Sequence, residues 1–136
     1  MKPEKLYNTI AVDFDGTLCV DKFPDTGEPK PLVIGYIKRH AARGTKIILY
    51  TCRENGNRPL LDEAVAFCVA HDIPLYAVNE NPDNQYPELY GTGTGRKVYA
   101  DLYIDDKAIN AEEIEEYMGL VKYLMENGSR RRAGDI

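Results

Sequence analysis

Short, fully apolar runs alternate along this chain with longer segments whose apolar residues recur every three or four positions. The first run, Tyr7 to Val12, is compact and rich in β-branched residues, the pattern of a strand buried on both faces. Proline and glycine then crowd the stretch from Cys19 to Pro31, at Pro24, Gly27, Pro29 and Pro31, which predicts a loop. Leu32, Val33, Tyr36, Ile37 and His40 or Ala41 fall at helical spacing, and Gly44 supplies the stop. Lys46 to Thr51 reads as a second buried strand. Leu60, Leu61, Ala64, Phe67 and Cys68 mark a second helix, with Pro59 suited to its first turn. A third strand is predicted over Ile73 to Val78, and a fourth at Leu102-Tyr103-Ile104. Between them Asn79 to Arg96 is polar and irregular. The last helix has Asn110 as N-cap with Glu113 three residues on, a relative of the capping box. Its buried stripe is expected at Ile114, Tyr117, Val121 and Leu124, with a stop at Gly128. Ser129 to Ile136 reads as a frayed basic tail.

Strands alternating with helical segments imply β-α-β units and a parallel sheet. The expected fold class is α/β, a three-layer, Rossmann-like, mostly parallel sheet with helices on both faces. Residues 1–128 would form one domain, followed by the flexible tail 129–136. In open sheets of this kind ligands bind beyond the carboxyl ends of the strands. Asp13, Asp15, Thr51, Asp105 and Asp106 all fall at predicted strand C-termini, so five polar residues share one edge of one sheet. Asp13 and Asp15 are two residues apart and can face one small volume. Placing both at the end of a buried strand is costly unless a cation or hydrogen bonds compensate.

Composition narrows the function. The chain has 136 residues, 43% hydrophobic and 29% charged, an ordinary globular balance. A formal net charge of −5 speaks against general binding to nucleic acid or anionic membranes. No apolar run approaches membrane-spanning length, and Met1-Lys2-Pro3-Glu4-Lys5 is not followed by a signal-peptide core. Cys19, Cys52 and Cys68 form an odd set without metal-ligand spacing, so reduced thiols and a cytoplasmic location are expected. Cys52 has no His placed near it and reads as a buried bystander.

Four carboxylates on one edge suit a hard cation with oxygen ligands, and Mg²⁺ is commonly held by one or two carboxylates with substrate phosphate completing the shell. Carboxylates alone would repel phosphate, so a positive side chain is also required. Lys97 in Gly93-Thr94-Gly95-Arg96-Lys97 could supply it, with Arg96 as its competitor. Thr51 could donate to a phosphoryl oxygen, Gly16 leaves room for a bulky ligand, and Arg53 could meet a phosphate or carboxylate bidentately.

These elements resemble, in the right order, the signature motifs of the haloacid dehalogenase (HAD) superfamily. Asp13-Phe14-Asp15-Gly16-Thr17 is similar to its first motif, Ile48-Leu49-Tyr50-Thr51 to its second, Lys97 to its third and Ile104-Asp105-Asp106 to its fourth. The resemblance spans roughly residues 7 to 110. It implies a HAD-type sheet and a Mg²⁺-dependent phosphatase. Asp13 would be nucleophile and metal ligand. Asp15 would be general acid/base, with its backbone carbonyl on the metal. Thr51 and Lys97 would hold the phosphoryl group, and Asp105 or Asp106 would complete the metal site. Dehalogenases of the superfamily lack the second acid, so Asp15 favours phosphate-ester hydrolysis. The gaps where cap domains are inserted are loop-sized, which implies a capless member whose open site a neighbouring subunit could complete. The alternative is a non-catalytic phospho-acceptor or phosphate-binding module. In receiver modules of that kind the phosphoacceptor Asp ends a middle strand, and Tyr50-Thr51 stands there instead.

Overall fold

Four of the apolar runs pair into a sheet. A computed structural model describes the backbone of residues 5–134 and the side chains of residues 5–128. The elements run β1 (Thr9–Val12), α1 (Pro31–Ala42), β2 (Lys46–Leu49), α2 (Leu60–Ala70), β3 (Ala77–Val78), α3 (Pro87–Tyr90), β4 (Leu102–Ile104) and α4 (Ala111–Gly134). The strand order is β3-β2-β1-β4, and every pairing is parallel. The fold is therefore α/β around a four-stranded parallel sheet.

Side chains two apart along a strand share a face, and the core divides accordingly. Ile10, Val12, Ile47 and Leu49 pack with Ile34 and Ile37 of α1 and with Ala64, Phe67 and Cys68 of α2. Phe14, just past β1, meets Phe67 edge-on at 5.2 Å between ring centroids. The opposite face carries the smaller cluster of Ala11, Ile48, Ala77 and Val98. The chain moves outward from β1 through β2 to β3, then returns to the far side of β1 to place β4. The strand order thus reverses between β1 and β4, which opens a crevice at their carboxyl ends. Asp13 follows β1 directly, and Asp105 and Asp106 follow β4.

Three elements differ from the sequence expectation. The third strand pairs only at Ala77 and Val78, because Pro74 has no N–H to give a ladder and restricts the residue before it. Ile73 is nevertheless buried in the larger cluster. Pro87–Tyr90 forms a short helix inside the stretch expected to be irregular. The last helix does not stop at Gly128 but continues to Gly134. One internal glycine costs about 1 kcal/mol, and the Arg and Ala residues beyond it have high helix propensity. The frayed-tail expectation is corrected up to that point, and its last two residues lie outside the described chain.

The residues up to Asp106 form one compact unit and those from Lys107 a second. Asn110 caps α4 as expected, its Oδ1 accepting from the Glu112 N–H at 2.9 Å. Ile114, Tyr117 and Leu124, expected as a buried stripe, are exposed. Among the described residues this second unit contains no other helix or strand to cover them. No helix among the described residues is long and apolar enough to cross a membrane.

Candidate functional site

The strand ends bring Asp13, Asp105 and Asp106 together, with one carboxylate oxygen of each within 4.8 Å of the other two. The parallel ladder sets this up, since Val12 pairs with Ile104 and the Asp13 N–H donates to the Ile104 carbonyl at 2.9 Å. Asp13 is half-buried and its carboxyl is pushed up from 3.8 to about 6. Burial is the main cause, and the negative charges of Asp105 and Asp106 add to it against the lowering effect of a backbone hydrogen bond at Phe14. Three mutually repelling oxygen donors, one of them resisting ionisation, form a donor set that suits a hard divalent cation. The Thr17 hydroxyl donates to Asp13 Oδ2 at 3.4 Å.

Gly16 has φ of +82°, and a Cβ there would stand 2.7 Å from Asp106 Cγ. The residue is needed both for its backbone conformation and for the approach of Asp106. The Lys30 ammonium donates to the Gly16 carbonyl at 2.7 Å, which ties the loop before α1 to the first motif. Sequence reading missed Lys30, since nothing local marks a lysine among loop breakers as reaching back fourteen residues.

Asp15 is paired with Arg53 and is not one of these three donors. Its two oxygens accept from Arg53 Nε and Nη2, both at 2.8 Å. Arg53 is 1% exposed. It also donates to the carbonyls of Asp25 at 3.1 Å and Leu60 at 3.3 Å. Its guanidinium carbon lies 4.9 Å from the Phe14 ring centroid and 5.4 Å from that of Phe23. The hydrogen bonds it donates to Asp15 are the main cause that raises the guanidinium's affinity for its proton, against burial. Arg53 thus meets a carboxylate bidentately, as its geometry allows, but the carboxylate is the protein's own. It is a buried anchor for Asp15, and the expected direct contact with substrate is replaced by that role.

Thr51 follows β2 and is held by Asn79, whose Oδ1 accepts from the Thr51 N–H at 2.8 Å. The Thr51 Oγ1 accepts from the Arg53 N–H at 3.2 Å, which leaves its hydroxyl hydrogen to donate. Lys97 is exposed, and its ammonium stands 4.7 Å from the Tyr103 ring centroid. Cys52, expected buried, is exposed on the polar loop after β2, and all three cysteines are free. The structure therefore gathers Asp13, Asp105 and Asp106, pairs Asp15 with Arg53, sets Thr51 beside that pair and directs Lys97 to an aromatic ring.

A conserved protein from Bacteroides thetaiotaomicron has a similar solved structure, with a TM-score of 0.63 and 31% identity over 91% of this chain and 93% of that one. The chain belongs to that protein's family. No protein-family model and no curated protein matches it. Agreement over nearly the whole of both chains places the four-stranded parallel sheet and its helices within the family's fold.

Proposed function

We propose that this protein is a HAD-type, Mg²⁺-dependent phosphatase that hydrolyses a phosphate monoester through an aspartyl-phosphate on Asp13. The observation that carries the reading is the convergence of Asp13, Asp105 and Asp106 where the strand order reverses. Asp13, Asp105 and Asp106 would hold the cation, together with the backbone carbonyl of Asp15. When bound, the cation supplies the positive charge that lets an anionic nucleophile approach an anionic phosphate.

The chain's own groups then divide the chemistry. An oxygen of Asp13 attacks phosphorus while the ester P–O bond breaks, and the leaving oxygen takes a proton from Asp15. Asp15 next takes a proton from water, whose oxygen attacks the phospho-aspartate. Inorganic phosphate leaves and the Asp13 carboxylate returns. Arg53 fixes where the Asp15 carboxyl stands, and each Asp15 oxygen keeps a further lone pair for this traffic. The Thr51 hydroxyl donates to a phosphoryl oxygen. Lys97 is assigned to the phosphoryl charge by its position in the third motif.

The finer architecture belongs to the same reading: three layers and no cap domain, since Cys19 to Pro31 and Asn79 to Arg96 are loop-sized. An open site of this kind suits completion by a second copy of the chain. A cytoplasmic setting accords with three free thiols. Phosphate release from an aryl phosphate should require Mg²⁺, cease on chelation and return on adding the ion back. Hydrolysis indifferent to chelation would remove the metal from the scheme.

A further inference from the structure

On the sheet face opposite α1 and α2 lies a cavity of about 250 Å³ that the chemistry above touches only through Lys97. Tyr86, Tyr90, Tyr99 and Tyr103 line it together with Arg96 and Lys97. The tyrosines are irregularly spaced in sequence, yet the fold brings four rings to one place. Each is 37–49% exposed, and none belongs to the core cluster of this face, which is made of Ala11, Ile48, Ala77 and Val98. Holding so much aromatic surface beside a cavity brings the fold little burial, so its use lies in what enters.

The walls are built. Asn81 Nδ2 donates to the carbonyls of Thr94 and Gly95, both at 3.1 Å, and of Lys97 at 2.7 Å, while its Oδ1 accepts from the Tyr99 N–H at 2.6 Å. Asn84 does the same for the other wall, donating to Gly91 O at 2.8 Å and accepting from the Tyr86 N–H at 2.9 Å. Tyr86 and Tyr90 stand edge to face at 5.4 Å. The Tyr103 hydroxyl donates to Val98 O at 2.6 Å, which fixes its ring beneath the Lys97 ammonium. Two asparagines thus hold the loops that carry the rings before any ligand arrives, which lowers the ordering cost of binding.

The charge is selective as well. The chain carries a net −5, yet the cavity lining has two cations and no carboxylate. Rings offer faces for stacking and cations attract anions. Its volume, about 250 Å³, accommodates a single ring system. We infer that this cavity binds the planar aromatic part of a small anionic ligand, and that the ligand is a phosphomonoester whose alcohol portion carries an aromatic ring. Ring binding is read from the lining alone, whereas the phosphomonoester rests on the phosphatase reading. Tyr103 stands two residues before Asp105, on the same side of the strand line, so ring and phosphate would lie along one edge.

Titration calorimetry of the intact chain with chelator present, which prevents turnover, separates these parts. Adenosine should bind, and adenosine 5′-monophosphate should bind about tenfold more tightly than ribose 5-phosphate, the gain one stacked ring typically brings. Phenyl phosphate gaining equally would assign the cavity to any aryl ring, and adenosine 5′-monophosphate alone gaining would assign it to a nucleoside. Tyr90→Ala and Tyr86→Ala should each erase most of that gain, and Tyr90→Phe should keep it. Equal binding of ribose 5-phosphate and adenosine 5′-monophosphate, or tight adenosine binding untouched by both alanine variants, would overturn the inference. Adenosine binding without phosphatase activity would sustain the cavity and sink only the reading of the aspartate site.

Discussion

Asp13→Asn is expected to lower phosphatase turnover by about a thousandfold or more, the scale on which removing a nucleophile acts, while making the metal-free protein more stable above pH 6. The two effects share one cause. The half-buried Asp13 carboxyl faces Asp105 and Asp106 and holds its proton up to about pH 6, against 3.8 ordinarily. A carboxyl whose folded value lies above its unfolded one favours the fold below the unfolded value, and that contribution is lost as pH rises through about 6. Asn carries no such charge, so the wild type should lose melting temperature between those two pH values and the variant should not. Mg²⁺ should raise the wild type's melting temperature above pH 6 by binding the folded state, and do so less for the variant. An Asp13→Asn protein that melts below the wild type throughout that range would show the aspartate to be a structural element.

Arg53→Met should destabilise the fold by about 3–5 kcal/mol, the cost of breaking a buried ion pair from one side. Methionine fills much of the space between Phe14 and Phe23, so the loss would come from the stranded Asp15 carboxylate and the unmatched carbonyls of Asp25 and Leu60. Arg53→Lys should recover only part, because an ammonium cannot make the paired contact with both Asp15 oxygens. Turnover should fall in both variants as Asp15 loses its fixed position. Urea unfolding measures the first effect, and a wild-type midpoint for Arg53→Met would refute the anchoring role.

How much of this was legible depends on where each residue's partners lie. Asp13, Asp105 and Asp106 could be placed together from sequence because parallel strands put their carboxyl ends on one edge, whatever the loops do. Arg53 could not be read, because its partners Asp15, Asp25 and Leu60 come from three separate segments. Two residues past Thr51, it looked like a free cation. Lys30 and Asn81 escaped for the same reason, each acting on residues more than a dozen positions away. The third strand was overextended, since a run of apolar residues does not show that Pro74 interrupts a ladder. The apolar spacing of α4 forecast a helix correctly, but a helical stripe does not say what will cover it. The four tyrosines have no period at all, and only the path of the Asn79 to Arg96 segment brings them to one cavity.

The most direct measurement is to look for the phosphoryl group on the chain itself. Asp15→Asn should slow hydrolysis of the phospho-enzyme, so this variant, mixed with an aryl phosphate and Mg²⁺ and quenched in acid, should carry one phosphoryl group by intact mass. Peptide mapping should place it on Asp13, and it should vanish with chelator or with Asp13→Asn added. Turnover without any such adduct, or a phosphoryl group mapped to another residue, would contradict Asp13 as the nucleophile.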